Sequence, residues 1–167
     1  KTILHTKLSS GMQPADILYH ANNELCEQNP ESMFSTTFIG IYETHTHKLT
    51  YANAGHCKPI LLRGIQTHLL KERSGPMLAS MENISYHDYQ LFLQPGDLLF
   101  LYTDGITEAQ NTHKEFFQEK RLLEILASLN TSKEKENAAA TTYRTLTDFT
   151  KGTEQYDDLT ILTLLIH

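Results

Sequence analysis

No stretch of this sequence is apolar over the length a membrane span requires, and none carries the basic, apolar and small-residue succession of a signal peptide. Basic residues are in the minority, 14 Lys and Arg against 20 Asp and Glu, and they form no cluster. A net charge of −6 without a basic patch argues against a nucleic-acid surface. There are only two cysteines, Cys26 and Cys57, too far apart in sequence to read as a metal-binding or redox pair. They read as half-buried thiols in a reducing cytoplasm rather than as a disulfide. Glycine and proline are sparse, and no repeat, low-complexity segment or internal linker interrupts the chain. Three signatures of chemistry are also missing: the G-x-S-x-G nucleophile elbow, the P-loop and the dinucleotide fingerprint.

What is present fits one domain with a single core: 167 residues, 40% hydrophobic and 20% charged. Lys1–Leu8 has helical apolar spacing from its first residues, with no cap and no initiator methionine. It reads as the tail of a helix that began earlier, and the chain is expected to be a piece of a longer protein. Pro14 suits the first turn of a new helix, whose stripe is Ile17, Leu18, Ala21 and Leu25 and which Asn29-Pro30 closes. β-type residues then run from Met33 to Tyr42, and Thr44–His47 connects them to a partner at Leu49–Asn53. Short strands are expected at Pro59–Leu62, Thr67–Leu70 and Tyr86–Leu93, followed by a type II turn on Pro95-Gly96. Helical spacing returns at Leu122–Leu129 and again over roughly Glu134 to Phe149, and Leu159–Ile166 closes the chain as a strand. The order of elements predicts an α+β fold, helices packed on antiparallel sheets.

The most informative stretch is Leu98-Leu99-Phe100-Leu101-Tyr102-Thr103-Asp104-Gly105-Ile106-Thr107-Glu108-Ala109. Five apolar or aromatic residues, bounded by Pro95-Gly96 and by Gly105, predict a strand buried on both faces. Asp104 stands where that strand leaves the core. A carboxylate there is expected to need a positive partner, and a metal ion is the usual one. Tyr156-Asp157-Asp158-Leu159-Thr160-Ile161-Leu162 repeats the arrangement in mirror order, so two acidic strand ends could converge on one site. Oxygen ligands of this kind favour Mg²⁺ or Mn²⁺ over zinc. A Thr-Asp-Gly turn is equally what a side-chain-to-backbone hydrogen bond asks for, and that alternative stays open.

Two further features carry polar side chains. Tyr51-Ala52-Asn53-Ala54-Gly55-His56-Cys57-Lys58-Pro59 places His56 beside a glycine at a strand exit, either as a general acid or rim contact or as a histidine held in a turn by hydrogen bonds. His45 and His47 form an H-x-H pair in the expected hairpin, the basis of an alternative reading as a zinc-binding module that no further cluster completes.

In order and wording these segments resemble the SpoIIE/RsbU-type serine phosphatases, a bacterial branch of the PP2C-like, metal-dependent phosphatases. The resemblance rests on Met33-Phe34-Ser35-Thr36-Thr37, on Ala54-Gly55-His56 with Pro59, on Pro95-Gly96-Asp97 followed by Tyr102–Ala109, and on Gln155-Tyr156-Asp157-Asp158-Leu159-Thr160. It covers essentially the whole chain. It implies a β-sandwich of antiparallel sheets flanked by helices, with two Mn²⁺ or Mg²⁺ ions activating a water that attacks phosphoserine or phosphothreonine. By position Asp104 and Asp157 map onto catalytic metal ligands, and Asp158 onto a further ligand or a group orienting one. Gly105 and His56 become candidates for the rim, with Tyr102, Thr103 and Gly105 shaping the turn. The family's two upstream acidic motifs are absent from this sequence, so residues 1–167 are expected to form one N-terminally incomplete domain. Leu78-Ala79 and Phe117-Gln118 replace the family's Leu-Gly and Phe-Gly, at glycines expected to be structural.

The resemblance implies a cytoplasmic phosphatase acting on a phosphorylated STAS-domain anti-sigma-factor antagonist, in a partner-switching pathway. Tethering of the parent protein to a membrane through upstream domains stays open. The alternative is an inactive phosphatase-like module that binds a signalling partner. Unpaired strand edges in a truncated sandwich further predict self-association.

Overall fold

The computed structural model describes residues 11–27, 29–30, 33–155 and 157–167, so the expected helix tail at Lys1–Leu8 lies outside the described residues. The described chain divides into two units. One holds the residues up to His56 together with Lys71–Leu93, and the other holds Cys57–Leu70 and Gln94–His167.

In the first unit, helix α1 (Pro14–Glu27) begins on the proline expected to start it. Its first free N–H groups need acceptors, and the Ala15 N–H finds the Asp88 carboxylate at 2.8 Å. Ile17, Leu18 and Ala21 bury one face against Ile39, Ala52, Ala54, Leu78 and Tyr86. Strands β1 (Thr37–Glu43) and β2 (Lys48–Ala54) form the expected hairpin, in register from Thr37↔Ala54 to Glu43↔Lys48. Three further strands in chain order are β3 (Ile60–Arg63), β4 (Gln66–Leu69) and β5 (Tyr89–Phe92). Strand β5 pairs with β2, giving an antiparallel sheet ordered β1-β2-β5. The sequence predicts a first strand from Met33, but Met33 and Phe34 are exposed and Ser35 makes only an isolated bridge to Leu78. β-propensity there has no partner strand to satisfy.

The second unit is built on β6 (Leu98–Tyr102). Together with β7 (Ile161–Leu165), the strands form an antiparallel sheet ordered β4-β3-β6-β7. Central placement explains the unbroken apolar run: Leu98, Leu99, Phe100 and Tyr102 are all buried, with side chains on both faces. The turn before β6 is closed by the Asp97 N–H on the Gln94 carbonyl at 2.9 Å, with Gly96 at φ +87°, as type II requires. Four helices follow: α2 (Asp104–Thr107), α3 (Gln118–Ala127), α4 (Ser132–Glu136) and α5 (Ala138–Phe149). Leu122, Leu126, Ala138 and Leu146 join Ile60, Leu62, Leu98 and Phe100 in one core. The single helix expected from Glu134 to Phe149 is two, broken at Asn137, whose side-chain amide turns back onto the Lys133 carbonyl at 2.7 Å.

Antiparallel sheets covered by helices make the fold α+β, the class expected. Ala79 and Gln118, which stand where the resembling family has glycine, both adopt left-handed backbone, at φ +64° and +67°. A structural role for glycine at these two positions accords with that geometry. Among the described residues no helix is long and apolar enough to cross a membrane.

Candidate active site

Strand β6 delivers Thr103 and Asp104 to the end of the second unit's sheet, where the chain turns at once into the short helix α2. Thr103 ties this turn to the segment that leads into β7. Its N–H donates to the Thr160 carbonyl at 3.2 Å. Its hydroxyl donates to the Asp158 carbonyl at 3.0 Å and accepts from the Thr160 N–H at 3.0 Å. Gly105 completes the junction by having no side chain: a Cβ there would lie 2.6 Å from the Asp158 carbonyl oxygen. Backbone at 105 and backbone at 158 are therefore in direct contact. The two strand ends expected to converge meet here through their backbones.

The carboxylates themselves face water. Asp104, Asp157 and Asp158 are all exposed, so the compensating charge expected for a carboxylate at the end of a buried strand is not demanded by burial of Asp104 itself. The apolar run ends at Tyr102, and water solvates the acidic turn beyond it. Asp104 Oδ1 accepts the Gly105 N–H at 3.1 Å, and Asp157 Oδ1 accepts the Asp158 N–H at 2.7 Å. The local hydrogen bond that a Thr-Asp-Gly turn invites is thus present. It engages one oxygen of each of these two carboxylates, and the second oxygen of each is open to another partner. Hard oxygen donors fit Mn²⁺ or Mg²⁺ in kind. In number they fall short of a full set, because among the described residues no three His, Cys, Asp or Glu side chains come together as a metal-holding group. The local field is nevertheless negative: burial, then the nearby charges of Asp104, Glu108 and Glu119, push the Cys57 thiol up to about 11.

His56 belongs to the first unit, and hydrogen bonds hold it there. Its N–H donates to Asn53 Oδ1 at 2.8 Å, the Asn53 amide returns to the His56 carbonyl at 3.2 Å, and Thr36 Oγ1 meets His56 Nδ1 at 3.2 Å. Asn53 is itself buried and fixed by Ser74, whose hydroxyl accepts the Asn53 N–H at 2.7 Å. His47 does not pair with His45 at a metal site, since its Nδ1 meets the Tyr42 hydroxyl at 2.7 Å. The zinc reading therefore has no geometry behind it among the described residues.

Sequence reasoning missed the seat of Asp97. This residue is 2% exposed and takes Arg63 Nε at 3.0 Å and Nη2 at 2.6 Å, with the Gln94 N–H at 2.8 Å. The Gly96 carbonyl beside it accepts the buried Lys135 ammonium at 2.7 Å. A carboxylate one position before an apolar strand was the available signal. Sequence reasoning also missed a cavity of about 450 Å³ that shares Gly105 and Asp157 with the acidic junction.

Comparison with known proteins adds the family. The family model described as Stage II sporulation protein E (SpoIIE) matches residues 1–167. The chain is 35% identical over 139 residues to Protein IcfG of Synechocystis sp., covering 81% of this chain and 21% of that protein. It is 30% identical over 119 residues to Phosphoserine phosphatase RsbU of Bacillus subtilis, covering 70% of this chain and 35% of RsbU. The chain thus spans about a fifth to a third of these curated relatives. Among solved structures, the SiaA-PP2C domain of Pseudomonas aeruginosa superposes with a TM-score of 0.81 at 20% identity, over 99% of this chain and 67% of that one. At that identity the likeness shows the fold.

Proposed function

The chain belongs to the SpoIIE family, with the PP2C phosphatase fold, and from that premise we propose that it carries part of the active site of a metal-dependent phosphoserine or phosphothreonine protein phosphatase. One observation carries the reading. The Thr103 clamp and the Gly105–Asp158 contact press two acid-bearing turns together and leave Asp104, Asp157 and Asp158 open to solvent. Asp104 and Asp157 would hold the metal, and Asp158 would add a ligand or orient one. The further ligands a two-ion site needs would come from outside these 167 residues, which form one incomplete domain in this reading. Mn²⁺ or Mg²⁺ held there would supply an activated water and neutralise phosphoryl charge. The chain's own part is positional. Thr103 and Gly105 fix the spacing of the acidic turns, and rigid strands β6 and β7 carry them.

The likeness to RsbU, a phosphoserine phosphatase by name, supports phosphoserine as the substrate group; the substrate in this reading is a phosphorylated STAS-domain protein of a partner-switching pathway, met in the cytoplasm. The test is Mn²⁺-dependent release of phosphate from a phosphoserine peptide by the full-length protein, with Asp104→Asn beside it. Turnover that needs Mn²⁺ and disappears in the variant is expected. Partner binding without any turnover would overturn the enzymatic reading in favour of an inactive binding module.

A further inference from the structure

The cavity that shares Gly105 and Asp157 with the acidic junction has a mixed lining, in which Glu108, Lys151, Glu154 and Asp157 supply charge. Phe116, Tyr143, Leu146 and Leu159 supply its carbon walls, and Thr147 and Thr150 lie among them. Both threonine hydroxyls donate into their own helix, Thr147 to the Tyr143 carbonyl at 2.8 Å and Thr150 to the Leu146 carbonyl at 3.0 Å. A bound group would therefore meet their methyls and lone pairs, with no hydroxyl proton to receive. Tyr143 is 57% exposed and Phe116 45%, so both rings are accessible to a group entering the cavity. At about 450 Å³ the cavity falls within the roughly 300–1,000 Å³ of sites that enclose a ligand group.

Resting on the phosphatase reading above, we propose that this cavity is a specificity pocket for the phosphoprotein substrate, taking a large apolar side chain close in sequence to the phosphoserine. Continuity selects that occupant. Asp157 and Gly105 both line the pocket, so a phosphoserine brought to the acidic junction carries its neighbours past Tyr143 and Phe116. Among the lining residues Tyr143 is of a type enriched in recognition hot spots.

The test uses the full-length protein with Mn²⁺ and short fluorescent phosphoserine peptides, in which one leucine or phenylalanine is scanned through an otherwise Ser/Ala/Gly background. Dissociation constants come from anisotropy and kcat/KM from phosphate release, with p-nitrophenyl phosphate as a substrate that has no side chains to recognise. A preference of roughly tenfold for the apolar residue at one position is expected, the scale of one well-buried contact. Tyr143→Ala, and separately Thr147→Glu at the exposed mouth, should cut that preference below about threefold while hydrolysis of p-nitrophenyl phosphate stays within about twofold. The proposal is overturned by equal affinity at every scanned position, by a preference for a basic residue, or by an apolar preference that survives both variants. If no substrate turns over, the phosphatase reading fails, and the peptide dissociation constants still decide the pocket.

Discussion

Two aspartates bracket the same strand and have opposite surroundings. Asp97, before β6, is buried, and its oxygens meet the Arg63 guanidinium and the Gln94 N–H. Asp104, after β6, is exposed and receives one local hydrogen bond from the Gly105 N–H. Burial at one end obliges the protein to satisfy the charge, because an unpaired carboxylate in the core is expensive. Exposure at the other end lets water do so, and water can be exchanged for a cation. An aspartate whose partners are all protein is a structural aspartate, whereas one whose partner is solvent is available for chemistry.

The sharpest way to break this contrast is to neutralise each end in turn. Asp104→Asn should lower Mn²⁺-dependent phosphate release by at least about 100-fold, beyond the roughly 10–100-fold that outer supporting residues give. Its stability should stay within about 0.5 kcal/mol, as for an ordinary surface change. Asp97→Ala should do the reverse and destabilise by about 2–3 kcal/mol in urea unfolding. That is less than the ~3–5 kcal/mol of a fully buried pair, because the Arg63 side chain is 36% exposed and water takes up part of its charge. Comparable losses of stability in the two variants would end the distinction.

Gly105→Ala lies between them and should affect both properties. The new methyl would meet the Asp158 carbonyl oxygen at 2.6 Å and Leu159 Cδ2 at 3.3 Å, and neither the strand end nor the Thr103 clamp can give way freely. Overpacking of this kind costs about 1–3 kcal/mol. Because the group displaced is the backbone of Asp158, Mn²⁺ affinity measured by calorimetry on the full-length protein should fall as well. A destabilised variant with unchanged Mn²⁺ affinity would show that the contact at 105 only holds the fold.

This division is half legible in the sequence. Strand β6 can be read because its signal is local, an apolar run between two turn-forming sites. The meeting of the strand end at Thr103–Gly105 with the one at Asp158–Thr160 can be read because each opens or closes such a run. What a run of letters does not carry is which side of the last turn faces water, and so it points to a carboxylate in need of a positive partner at the end of a buried strand. Asp97 escapes notice because Arg63, its partner, lies on another strand and no spacing rule links them. The break at Asn137 is hidden for a related reason: helical spacing continues across it on either side, and it lies in the backbone of Asn137, at φ −95° and ψ +10°, and in the bond of its side chain to the Lys133 carbonyl.

The smallest expected effect sharpens the contrast by moving away from the site. At 105 glycine is demanded by space, whereas at 79 and 118 it is favoured by backbone angle, and there the chain carries Ala and Gln at φ +64° and +67°. Left-handed backbone costs an L-residue about 1–2 kcal/mol. Replacement by glycine relieves that strain but returns about 0.4–1 kcal/mol of freedom to the unfolded chain. Ala79→Gly and Gln118→Gly should therefore each stabilise by about 0.5–1 kcal/mol, raising Tm by roughly 1–4 °C. One lies in each unit, so their effects should add. Phosphatase activity of the full-length protein should not change with either, since neither substitution removes a carboxylate of the acidic junction. A glycine that lowered Tm at 79 would mean that the Asn22 side chain, which accepts the Ala79 N–H at 3.0 Å, holds the turn firmly enough to absorb the strain. Glycine demanded by space and glycine favoured by angle would then differ even in the sign of their effect on stability.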